Sequence, residues 1–302
     1  MTDVVRLVEV GPRDGLQNEA RPLSVARRIA MIDALVAAGL RSVEAGSFVS
    51  PRWVPQMAGS AEVLAGVRKV PGVSFPVLVP NLKGFEAARL AGATDVAVFA
   101  SASETFSQRN INCSVAESLD RFEPVLEAAR AAGIRVRGYV SCALGCPYEG
   151  KVPVTAVVDL AARLHAMGCT ELVPSDTIGV GTPHQAVAMV AAVAGAVPMQ
   201  ALAFHAHDTW GMGVANCLAL YEAGVRVFDG SVGGLGGCPY AKGATGNVPT
   251  EALAYLFEGL GVRTGIDIPA VAKVAIEVCA ELGREPVSSI SRLYRERFRP
   301  LA

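Results

Sequence analysis

Two histidines, His205 and His207, stand one residue apart in the run Phe204-His205-Ala206-His207-Asp208. Alternate side chains of a strand share a face, so both imidazoles reach one point from the same side. That spacing suits a metal ion, and it equally suits a pair of buried hydrogen-bonding histidines. The remaining two, His165 and His184, fall in helical stretches, so half of the chain's imidazoles collect at one strand end. A two-histidine site needs oxygen ligands as well. Asp14, within Gly11-Pro12-Arg13-Asp14-Gly15, is the candidate, with a turn or capping role beside Gly15 as the competing reading. Mixed nitrogen and oxygen ligation with open positions suits Mg2+ or Mn2+, and less well Zn2+, polarising a substrate oxygen. A closed structural zinc site would want thiolates instead.

Three further residues extend this chemistry. Arg13 adjoins Asp14 and can stabilise an enolate or carboxylate oxygen by charge-assisted hydrogen bonds. Glu44, on the next strand, is its natural ion-pair partner and the group that would orient it. Residues 233–247 carry Gly233-Gly234-Leu235-Gly236-Gly237-Cys238, too glycine-rich for core and too long for a plain connection, and read as a mobile lid. Cys238 is a candidate proton donor or acceptor there, since a thiol pKa near ~8.5 can be tuned toward neutrality, with an ordinary loop cysteine as the competing reading. Asn247 closes the loop, either offering its side-chain oxygen to a metal or capping the helix that follows. Cys142 and Cys146 are not spaced as a CxxC pair and read as packing or loop residues. Arg52, Trp53 and Lys83 are further candidates for contact with a large anionic substrate.

These residues need a scaffold that brings distant strand ends together. Short β-rich runs at 4–10, 42–47, 74–79, 95–100, 135–142, 171–175, 201–207 and 225–232 alternate with helical stretches near 24–38, 57–68, 83–91, 115–132, 154–167, 183–194, 213–223 and 249–260. Gly39, Gly92, Gly133, Gly168 and Gly224 each precede a strand, where a left-handed helix cap is needed. Eight β-loop-α-Gly units predict an α/β fold, a closed (β/α)8 TIM barrel with parallel strands, whose active site lies at the C-terminal strand ends. No GxGxxG follows the first strand to favour a dinucleotide fold. A helix over 268–282 and a charged tail over 288–302 form a C-terminal extension. The expected organisation is one catalytic domain over 1–302, with the barrel at about 4–261 and the extension at about 262–302.

Composition limits the partners. Half the chain, 51%, is hydrophobic and 18% is charged, ample for a buried core. The formal net charge is −1 with scattered basic residues, which gives no footprint for nucleic acid or an anionic membrane. Seven cysteines, an odd number without zinc-ribbon spacing, fit a reducing compartment. Met1-Thr2-Asp3-Val4 opens no signal or import sequence, and no apolar run spans a membrane, so a cytoplasmic protein is expected.

The motifs together resemble the 3-hydroxy-3-methylglutaryl-CoA lyase family, among the DRE-type barrel metallolyases. The resemblance runs from about Val8 to Arg284. It is carried by Glu9-Val10-Gly11-Pro12-Arg13-Asp14-Gly15-Leu16-Gln17-Asn18-Glu19, by residues 47–57, by Pro80-Asn81-Leu82-Lys83-Gly84-Phe85-Glu86, by Asn110-Ile111-Asn112-Cys113, by 137–150, by 176–183 and by the Cys238 loop. It implies cleavage of 3-hydroxy-3-methylglutaryl-CoA to acetyl-CoA and acetoacetate, in leucine degradation or ketone-body metabolism. It also implies Asp14, His205, His207 and Asn247 as ligands of Mg2+ or Mn2+, Arg13 as the enolate stabiliser and Cys238 as the residue that protonates the enolate carbon or assists from the lid. Asp14 or His205 would take the proton of the C3 hydroxyl. An acyl-CoA substrate and a homo-oligomer, a dimer, are expected. The chain departs from the family where Val173-Pro174-Ser175-Asp176 replaces a Ser-Leu-Gly-Asp run, which leaves a longer-chain 3-hydroxyglutaryl-CoA as the alternative substrate. A condensing enzyme of the same superfamily and a non-catalytic barrel that binds CoA esters are the other readings. The C-terminus lacks a Cys-Lys-Leu type of ending, so no peroxisomal address is expected.

Overall fold

The glycines placed before strands do what the sequence requires of them: in the computed structural model Gly39, Gly92, Gly133, Gly168 and Gly224 all have positive φ, from 65° to 119°. The structure describes residues 3–237 and 246–298. The first half runs β1 (Arg6–Glu9), a π-helical turn (Gly11–Gly15), α1 (Val25–Ala37), β2 (Gly46–Ser47), α2 (Ser60–Gly66), β3 (Val77–Leu78), α3 (Leu82–Leu90), β4 (Asp95–Ser101), α4 (Glu104–Ile111) and α5 (Val115–Ala132). The second half runs β5 (Arg135–Ser141), α6 (Val154–Met167), β6 (Glu171–Asp176), α7 (Pro183–Ala194), β7 (His205–Ala206), α8 (Gly213–Glu222), β8 (Val227–Gly230), α9 (Thr250–Gly259), α10 (Ile268–Leu282) and α11 (Ser289–Phe298).

Strands β2 to β7 pair in sequence order, and β1 pairs in parallel with β8. Two seams join these sheets. Glu9 N donates to Ser42 O and Glu44 N to Glu9 O, which ties β1 to the strand-2 segment. Phe204 N donates to Val227 O and Asp229 N to Phe204 O, which ties β7 to β8. The ring is thereby closed, as an eight-stranded parallel barrel with its connecting helices outside. Inside, Ala97, Tyr139, Val173 and Ala203 pack together, while a larger cluster from Val5 to Cys279 fills the space between strands and helices.

The extension belongs to the same packing. Gly39 has φ 104°, and a Cβ there would sit 2.1 Å from Gly265 O, so only glycine lets the two backbones meet. Beside it Asp267 N donates to Ala38 O at 2.8 Å and lays α10 against α1. Where a charged tail was expected, Ser289–Phe298 form the helix α11. Its charges, Arg292, Arg295, Glu296 and Arg297, mask in sequence the apolar positions Ile290 and Leu293. Helix α4 is also absent from the sequence reading, because its eight residues offer few apolar side chains; Ser103 caps it by accepting from Phe106 N.

Candidate active site

Four strand ends supply the site. After β1 the chain makes a single π-helical turn that carries Arg13 and Asp14. The turn is fixed through Glu9, whose Oε1 accepts from Gly11 N at 2.7 Å and Val232 N at 2.9 Å, and whose Oε2 accepts from Thr250 Oγ1 at 2.6 Å. Arg13 is buried and donates through Nε to Glu44 Oε2 at 2.7 Å and through a terminal nitrogen to Asp14 Oδ1 at 2.6 Å. The sequence's two readings of Arg13, ion pair and site residue, therefore coexist. Burial works to lower its pKa, but Glu44 and Asp14 outweigh that and raise it. Glu44 keeps Oε1 buried without a partner among the described residues, and burial, opposed by Arg13, lifts its carboxyl above the usual range.

Asp14, His205 and His207 converge, with one potential ligand atom from each within 4.8 Å of the others. His205 lies in β7 and His207 one residue beyond it, their ring centroids 5.3 Å apart. His207 Nε2 is 3.8 Å from Asp14 Oδ2. Burial alone would raise the Asp14 carboxyl, yet Arg13 and the two imidazoles hold it well below the usual carboxylate range. Asn247 bridges to His207 through an isolated antiparallel pairing and donates from Nδ2 to Asp14 Oδ2 at 2.9 Å and to Leu235 O at 3.1 Å. Its Oδ1 and His207 Nδ1 are buried without hydrogen-bond partners among the described residues. A buried acceptor with nothing to accept from, beside an ionised carboxylate and two imidazoles, is what a hard or borderline divalent cation would satisfy. The donor set therefore fits Mg2+ or Mn2+.

A match to the HMGL-like family covers residues 4–278, from the start of the barrel to within α10. The chain belongs to the HMGL-like family. It is 59% identical over 280 residues to a Pseudomonas aeruginosa protein named 3-hydroxy-3-isohexenylglutaryl-CoA/hydroxymethylglutaryl-CoA lyase, covering 93% of each chain. Its fold superimposes on the crystal structure of hydroxymethylglutaryl-CoA lyase from Pseudomonas aeruginosa with TM-score 0.95 at 56% identity, over 98% of this chain and 99% of that one. An HMG-CoA lyase from Acinetobacter baumannii, solved in complex with coenzyme A and 3-methylmalate, gives TM-score 0.93 at 34% identity, over 99% and 98%.

In this HMGL-like chain, Arg13, Asp14, Glu44, His205, His207 and Asn247 all gather at one barrel mouth, while Cys238 lies outside the described residues. Cys142 and Cys146 are buried, as a packing role requires, and burial pushes the Cys142 thiol up and away from reactivity. Trp53 is 83% exposed. Sequence reasoning missed three residues beneath the histidines. Asp229 Oδ2 lies 3.1 Å from His205 Nδ1, Arg137 donates to Asp229 Oδ1 at 2.6 Å, and Tyr139 meets the His205 ring edge-on at 5.9 Å. A signal was present, since Arg137 and Tyr139 are two apart on β5 and share the interior face, where an arginine demands a counter-charge. Among the described residues no helix is long and apolar enough to cross a membrane.

Proposed function

We propose that this chain cleaves 3-hydroxy-3-methylglutaryl-CoA to acetyl-CoA and acetoacetate, as a divalent-metal-dependent carbon–carbon lyase working by retro-Claisen cleavage of C2–C3. One observation carries the reading: an HMGL-like barrel brings Asp14, His205, His207 and Asn247 together beside a buried Arg13. Asp14, both histidines and Asn247 Oδ1 would hold Mg2+ or Mn2+. When bound, the cation supplies Lewis acidity toward the 3-hydroxyl oxygen of the substrate and lowers that hydroxyl's pKa.

The chain's own residues then divide the work. The hydroxyl proton passes to a base beside the cluster; of the two candidates Asp14 keeps carboxylate lone pairs for it, whereas a His205 that ligates through Nε2 and carries its proton on Nδ1 toward Asp229 would keep none. As the alkoxide becomes the ketone of acetoacetate, the C2–C3 electron pair moves into the thioester as an enolate. Arg13 is placed to stabilise that negative oxygen, because Glu44 and Asp14 occupy Nε and one terminal nitrogen and leave the other without a partner among the described residues. Glu44 fixes the guanidinium plane. The enolate carbon takes a proton to give acetyl-CoA, and we assign that donation to Cys238 on its place in the 233–247 loop between Leu235 and Asn247.

A longer C3 substituent is the second reading, favoured by the name of the Pseudomonas aeruginosa relative and by Pro174 within β6. Incubation with the methyl and isohexenyl esters in parallel, with thiol-ester products quantified by chromatography, separates the two. Acetyl-CoA release from the methyl ester is expected; binding of both esters without turnover would leave a CoA-ester-binding barrel. We read residues 1–302 as one catalytic unit of the cytoplasm, supported by the docking of α10 on α1 and by six buried free thiols. A homodimer is expected, with the exposed Tyr255 and Leu293 of α9 and α11 as an apolar face, and light scattering reads it directly.

A further inference from the structure

His205 is held on three sides. Asp229 Oδ2 meets its Nδ1 at 3.1 Å, the Tyr139 ring stands edge-on at 5.9 Å, and the His207 ring lies at 5.3 Å. Asp229 takes no part in the reaction described above, yet it is 1% exposed and spends both oxygens on specific partners. Oδ1 accepts from Arg137 at 2.6 Å. Arg137 in turn donates to the Tyr139 hydroxyl at 3.0 Å and makes an ion contact through Nε with Glu171 at 2.7 Å, and Glu171 also pairs with Arg6. A row of alternating charges thus crosses the barrel interior from Arg6, at the N-terminal mouth, to the histidine at the catalytic one. The register builds it: Asp229 N donates to Phe204 O, which sets the aspartate beside the residue that precedes His205.

We propose that Asp229, held by Arg137, is the positioning residue for His205. By accepting the Nδ1 proton, the carboxylate fixes the tautomer and the ring angle that present Nε2 to the cation shared with Asp14 and His207. Without an acceptor the ring is free to carry its proton on either nitrogen, and Nε2 ceases to be a permanent lone pair. Arg137 is needed because a carboxylate this deeply buried must have a counter-charge, and its Oδ1 pairing leaves Oδ2 for the imidazole. The inference rests on the metal-site reading above.

Mn2+ binding to the metal-stripped full chain, read by the electron paramagnetic resonance signal of free Mn2+, tests it in wild type, Asp229→Asn and His207→Ala. Asp229→Asn is expected to raise the dissociation constant ~10–100-fold, with activity recovering at saturating Mn2+. Unchanged affinity in Asp229→Asn beside a tight wild type overturns the positioning role alone. A wild type that binds no Mn2+ overturns the metal-site reading and this inference with it. If the variant does not fold, 15N-histidine spectra of the Mg2+-loaded wild type decide, with the His205 signal assigned by its loss in His205→Ala. A proton on Nδ1 is expected; a proton on Nε2 overturns the proposal.

Discussion

Arg13 must satisfy two carboxylates and still serve a third negative group that exists only during the reaction. Its burial, with Glu44 and Asp14 at 2.7 and 2.6 Å, makes it a fixed charge that needs no reorganisation when the enolate forms. Arg13→Gln is expected to lower kcat by ~10²–10³-fold, as loss of one such donor does elsewhere, with metal content near wild type. Steady-state kinetics beside elemental analysis reads both. Cys238→Ala is expected to lower kcat by ~10²–10⁴-fold without metal loss, whereas loss of metal in that variant would make the thiol a ligand or a support. Glu9 shows a different behaviour at the same scale. Burial pushes its carboxyl from 4.5 up to about 7, against the three hydrogen bonds that it accepts. A carboxyl raised in the fold favours the folded state while protonated, so its contribution is full below about pH 4.5 and is lost as the pH rises through about 7. The swing is about 3 kcal/mol at most. Glu9→Gln keeps an acceptor for Gly11 and Val232 and removes the titration. Urea unfolding should therefore show its stability gaining on wild type across that window, and a constant difference would contradict the assignment.

At the scale of elements, Gly233, at the start of the segment that leads to Asn247, is braced from the C-terminal extension. Gly233 N donates to Glu251 Oε2 at 3.1 Å, the other oxygen of Glu251 accepts from Ser291 Oγ of α11, and Val287 N donates to Gly233 O at 3.1 Å. Ser291→Val would leave Glu251 Oε1 buried without a partner and is expected to cost about 1–3 kcal/mol, read as a lower urea midpoint. The eight strands and nine of the helices were legible because each repeat carries its own period and five of them end on a glycine stop. The π-helical turn at Gly11–Gly15 was not, since its conformation is set by Glu9, whose partners Val232 and Thr250 lie across the barrel seam. Helices α4 and α11 escaped because their burial is narrow and their sequence polar. The site was legible where two residues stand close in sequence, as His205 and His207 do. It was illegible where closure supplies the partner, as with Asp229 and Arg137, 92 residues apart.

At the scale of the whole molecule, barrel closure is what makes chemistry possible: Asp14 follows the first strand, His205 and His207 end the seventh, and Asn247 follows the eighth. In an open sheet with β1 and β8 at opposite edges Asp14 could not reach the other three. At this meeting point a divalent cation would sit, and C–C cleavage would depend on it. Acetyl-CoA release from 3-hydroxy-3-methylglutaryl-CoA, measured before chelation, after it, and after Mg2+ or Mn2+ is restored, tests that claim most directly. Activity should vanish with the metal, return on add-back in wild type, and fail to return in His207→Ala. Full turnover by the thoroughly chelated chain would contradict it.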